Sequence, residues 1–121
     1  MEQQTEVLTG CEVVWSVGCL TVSGEIDLAN APVIEQRIRA LLGMGNILVD
    51  CRAVTFLDVA GFRMLTRVGV AAMAADTIVR LRCSPRVLET LQLCGVREIP
   101  GVVLDRDNMT ARGAYGDQLD Q

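Results

Sequence analysis

The chain has 121 residues, half of them hydrophobic, a formal charge of −4 and no histidine. That length is one domain's worth, and the lack of imidazole excludes His-based triads, His metal sites and imidazole acid–base chemistry. The acidic balance argues against a nucleic-acid binder, which carries a basic stripe. Only four residues are aromatic, so the core must be built from Val, Leu and Ile. All eleven basic residues are arginine, a compositional habit to which no function is assigned.

Residues 1–10, "MEQQTEVLTG", read as a short flexible arm without the charged-then-apolar pattern of a signal peptide. "CEVVW" and "CLTVSG" follow as two β-rich runs, with Ser16, Val17 and Gly18 offering a tight hairpin connection. "LANAPVIEQRIRALLGMG" is the clearest helix. Asn30 suits the N-cap, Pro32 the first turn, and Ile34, Ile38, Leu41 and Leu42 form one apolar stripe. Glu35 and Arg39 stand four apart on its solvent side, and Gly43 offers a left-handed cap.

"NILVDC", Asn46 to Cys51, has the apolar centre of a covered strand and is followed by a short loop. Asp58 then caps a helix over about 59–73, with Phe62, Leu65, Val68, Gly69 and Ala72 on one side. "TIVRLRC" alternates as a half-exposed strand, its Arg80 and Arg82 read as solvated. Ser84 and Pro85 open a third helix with Val87, Leu88, Leu91 and Cys94 inward and Gly95 at its end. A short strand closes "VREIPGVVL", and the tail 105–121 is expected as a frayed helix or weak structure. The order β-β-α-β-α-β-α-β predicts an α/β layer with right-handed parallel crossovers.

Five cysteines, Cys11, Cys19, Cys51, Cys83 and Cys94, lack CxxC spacing and read as reduced, buried small hydrophobes. A thiol-based redox switch is the alternative, and it needs two of them within about 7 Å between Cα atoms. No apolar run reaches the roughly 18–20 residues that span a bilayer, so the protein is expected to be cytoplasmic. No glycine-rich phosphate motif occurs.

Two short stretches could carry function. "GEID", Gly24 to Asp27, ends the second predicted strand, and as a bare pattern it is turn chemistry at a sheet edge. "FLDVAGF", Phe56 to Phe62, is a helix start whose small Ala60 and Gly61 let another surface approach the backbone.

"VSGEIDLANA", "ILVDCRAVTFLDVAGFRML" and "SPRVLETLQLCGV", in this order, resemble the STAS family, in particular bacterial anti-sigma factor antagonists, from about Cys11 to Leu104. "GEID" matches the family's Gly-Glu-hydrophobic-Asp, and "DVAGF" its Asp-Ser-Ser/Thr-Gly-Leu loop. The resemblance implies a STAS domain over 11–104, with a mixed four- to five-stranded sheet and helices mainly on one face. It implies a non-enzymatic, cofactor-free monomer that binds an anti-sigma factor of the histidine-kinase-like ATPase fold and so frees the sigma factor. Asp27, Asp58, Val59, Ala60 and Gly61 would form the docking surface. The family's phosphorylated serine falls on Ala60, and a methyl group accepts no phosphoryl group. Three consequences stay open: an antagonist held binding-competent; regulation elsewhere, through Thr55, Thr66 or thiols; or a STAS module for another partner, such as an ABC-transporter ATPase or a stressosome-like scaffold.

Overall fold

The structure is a computed structural model that describes residues 2–105. Six strands form one sheet in sequence order: β1 (Gln4–Leu8), β2 (Cys11–Ser16), β3 (Cys19–Ile26), β4 (Ile47–Leu57), β5 (Val79–Cys83) and β6 (Val102–Leu104). The β1–β2 and β2–β3 pairs are antiparallel, whereas β3 to β6 run parallel. Helices α1 (Ala31–Leu42), α2 (Val59–Ala74) and α3 (Pro85–Leu93) make the three crossovers. Right-handed crossovers that all advance in one direction must place every helix on the same face. Burial agrees: Val13, Leu20, Val22, Val49, Val79 and Leu81 are buried, and their strand neighbours are half-buried or exposed. The expected α/β architecture, a mixed sheet with helices on one face, is therefore present, with one strand more than the four to five foreseen.

The additional strand lies where a flexible arm was expected. β1 reads Gln-Thr-Glu-Val-Leu, with no buried position to betray it. It forms because its backbone pairs with β2 and because Glu6 holds Arg37 of α1 at 2.9 Å, with that guanidinium 5.1 Å above the Trp15 ring. The loop expected after Cys51 is likewise strand. β4 runs on to Leu57 because register shifts in β3 let Ser23, Gly24, Glu25 and Ile26 pair with Ala53, Val54, Phe56 and Leu57. Gly24 makes this possible with φ +100, and a Cβ there would meet the Gly10 carbonyl at 2.5 Å.

The stripe of α1 is buried as read, and Glu35 bonds Arg39 and also Arg67 of α2, bracing the two helices. Gly43 adopts a right-handed conformation (φ −64), so it is no left-handed cap; Gly95 does take φ +78 after α3. Arg80 and Arg82 are not simply solvated, since both bond the buried Asp105 at 3.0 Å. Of the third helix's expected inward residues, Val87 and Leu91 are buried, Leu88 is half-buried and Cys94 is exposed. About two-thirds of the way along α2, Gly69 packs backbone to backbone on the Pro100–Gly101 segment, where any Cβ would collide with the Pro100 carbonyl. The expected weak tail lies outside the described residues beyond Asp105. Among the described residues no helix is long and apolar enough to cross a membrane.

Candidate functional site

The two stretches singled out in sequence meet at the carboxyl ends of neighbouring parallel strands. β3 delivers Asp27 to the start of α1, and β4 delivers Asp58 to the start of α2. The Asp58 amide donates to the Ile26 carbonyl at 3.2 Å, which fastens one loop to the other. Asp58 has extended backbone, and its Oδ1 accepts from the Gly61 amide at 3.0 Å, the capping geometry its sequence position calls for. Gly61 is buried against the sheet, where a Cβ would strike Leu57 and reach Ile26 at 3.0 Å. Glycine thus lets the first turn of α2 settle on the strand ends. Val59 is then left 64% exposed, and Ala60 half-buried beside it.

Asp27 is half-buried, and its Oδ1 accepts from the Ala29 amide at 2.9 Å. Asn30, expected to cap α1, makes no side-chain bond to its own helix. Its side chain turns into the protein instead. Oδ1 accepts from the Asp27 amide at 3.0 Å, and Nδ2 donates to the carbonyls of Thr9 and Glu25, each at 2.8 Å.

Several residues of this end of the molecule were not singled out for binding from sequence. Leu28 stands 75% exposed beside Asp27, and Phe56 is half exposed beside Asp58. Between α2 and α3 runs a groove of about 400 Å³, lined chiefly by Phe56, Val59, Phe62, Leu91 and Cys94. These residues come from three elements, so no window of sequence displays the groove; the large apolar residues flanking Asp58 were its only local sign. Among the described residues Glu25, Asp27 and Asp58 enter no ion pair. The surface therefore combines exposed apolar side chains with uncompensated carboxylates, a chemistry suited to a partner with apolar and basic groups.

The hydroxyls considered for regulation are differently placed. Thr55 is exposed on β4 and donates to the Gly24 carbonyl at 3.4 Å, while half-buried Thr66 donates to Phe62 within α2 at 3.1 Å. Of the thiols, Cys11, Cys51 and Cys83 are buried, and strand register sets Cys51 beside Cys83. Burial, then the neighbouring Cys83 and Asp50, push the Cys51 thiol far up. Burial, then the charge of Asp27, raise the Cys11 thiol as well. Neither is a ready thiolate at neutral pH.

A mixed sheet with helices on one face and two linked loops at its strand ends defines an α/β module of a known architecture. The chain belongs to the STAS domain family, whose family model matches residues 5–109. Among solved structures, it is similar to an anti-sigma factor antagonist from Mycobacterium paratuberculosis, at 24% identity over 88% of each chain with a TM-score of 0.60. It is also similar to the anti-sigma factor antagonist SpoIIAA in its unphosphorylated form, at 15% identity over 86% of this chain and 87% of that one, TM-score 0.55. No curated protein matches the sequence significantly. At these identities the structural likenesses establish the fold.

Proposed function

We propose that the chain is an anti-sigma factor antagonist. It binds an anti-sigma factor of the histidine-kinase-like ATPase fold through Asp27, Asp58, Val59, Ala60 and Gly61, and thereby releases a sigma factor. The observation that carries the reading is the preformed state of this surface: Asp58 caps α2, its amide ties the two loops, and Val59 and Ala60 are held at the outer turn. The two similar structures named above are of anti-sigma factor antagonists, which supports the same reading.

Ala60 stands where the family's serine accepts phosphate, and its methyl group occupies almost the same space as an unmodified serine. The docking geometry is kept and the phosphoryl acceptor is lost. A negative charge at this point would stand beside Asp58 and be desolvated on docking, at a cost of several kcal/mol.

Affinity capture from the native lysate, read by mass spectrometry, tests the proposal with wild type, Ala60→Asp and Met44→Asp in parallel. Met44 is 53% exposed just beyond the C-terminal end of α1, the end away from the loops. Wild type and Met44→Asp should retain a histidine-kinase-like ATPase that Ala60→Asp loses. Equal capture by all three proteins, or retention of an unrelated ATPase or scaffold, would overturn the reading.

A further inference from the structure

Asn30 is 1% exposed, and its amide bonds backbone groups from three separate stretches: the β1–β2 turn, the end of β3 and the loop before α1. A primary amide is suited to this, since it presents an acceptor and two donors on one short stem. An ionised aspartate has the same shape and no donor. The turn it engages is fastened to β3 a second time, because the Glu25 amide donates to the Gly10 carbonyl at 2.9 Å. Asp27, with its carboxylate tied to Ala29, is therefore held at its backbone by a side chain that is itself anchored across 21 residues of sequence.

We propose that Asn30 is a positioning residue for docking: it fixes the Asp27 loop by using the β1–β2 turn as its anchor. This rests on the proposed function, in which Asp27 contacts the partner. The physical basis is pre-organisation. A loop already in its bound conformation loses less entropy on association, so freeing it weakens binding without removing any contact residue.

Asn30→Asp keeps shape and acceptor and loses both donors, while Asn30→Ser keeps an oxygen suited to a helix start and guards against outright misfolding of the first variant. Ile38→Val, a core trimming on the same helix, controls for general loss of stability. In capture of the histidine-kinase-like ATPase, both Asn30 variants should bind roughly tenfold or more weakly, with Ile38→Val close to wild type. Equal loss in all three, or no loss in the Asn30 variants, overturns the proposal.

Amide hydrogen exchange of the uncomplexed protein, followed by NMR, gives a second readout that needs no partner. In wild type the Asp27 amide should exchange roughly a hundredfold more slowly than that of neighbouring Leu28. Asn30→Ser should erase the difference while Val49 and Leu81 stay protected. Equal rates for Asp27 and Leu28 in wild type overturn the proposal. If wild type captures no such ATPase, the proposed function falls, and the exchange rates still decide whether Asn30 holds the loop.

Discussion

Helices α1 and α2 begin in the same way, at the carboxyl ends of adjacent parallel strands with a residue suited to N-capping, yet the two starts are built oppositely. Asp58 serves its own helix: its carboxylate closes onto Gly61, and the turn it caps faces outward with Val59 exposed. Asn30 leaves its own helix without a side-chain cap and spends all three of its hydrogen-bonding groups on the hairpin, β3 and the preceding loop. The first is a local device that a four-residue window specifies. The second is a non-local one that exists only once the sheet has assembled. Two capping residues of similar size thus give one self-contained surface turn and one buried bracket.

That contrast can be broken from either side. Asn30→Leu fills the same space and strands the Asp27 amide and two carbonyls, so unfolding in urea should show a loss of about 3 kcal/mol. Gly61→Val, on the α2 side, drives a branched side chain into Leu57 and Ile26. Overpacking there should cost about 2 kcal/mol by the same measurement. Asp58→Ala removes one local bond, and about 1 kcal/mol is expected; a loss as large as that of Asn30→Leu would erase the distinction between the two starts.

The smallest effect concerns the brace that joins the two helices. Burial opposes ionisation of Glu35, but hydrogen bonds from Arg67 and Arg39 outweigh it, and the carboxyl titrates below its ordinary range. A depressed folded-state value means that its stabilisation is complete above the unfolded carboxylate pKa, near about 4.3, and is lost as pH falls through the folded value. Glu35→Gln should therefore lower the melting temperature slightly at pH 7, by the equivalent of about 0.5 kcal/mol, and the gap to wild type should close in acid.

The same contrast explains what could be read in advance. Every helix among the described residues was legible, because Ile34, Ile38, Leu41 and Leu42 recur at helical spacing and Asp58 and Ser84 cap as their positions dictate. β1 was not, because an edge strand with no buried residue leaves no alternation to detect. The second half of β4 was hidden by exposed Arg52, Ala53, Thr55 and Phe56, which continue the strand only through the irregular register of β3. At the candidate site, Asp27 and Asp58 were visible as a pair of motifs, but their joining bond runs from the Asp58 amide to the Ile26 carbonyl and involves no side chain. The groove and the bracket of Asn30 depend on residues brought together from distant elements, which no local pattern records.

The backbone contact of Gly69 with the Pro100–Gly101 segment has a steric consequence for the placing of α2. Ten residues separate Val59 from Gly69, about 15 Å at the helical rise, and five more reach Ala74, about 8 Å further. With no side chain to act as a cushion, backbone meets backbone at Gly69. Any side chain at Gly69 would force α2 or the Pro100–Gly101 segment to move, so this one position sets how closely the helix lies to the segment that leads into β6.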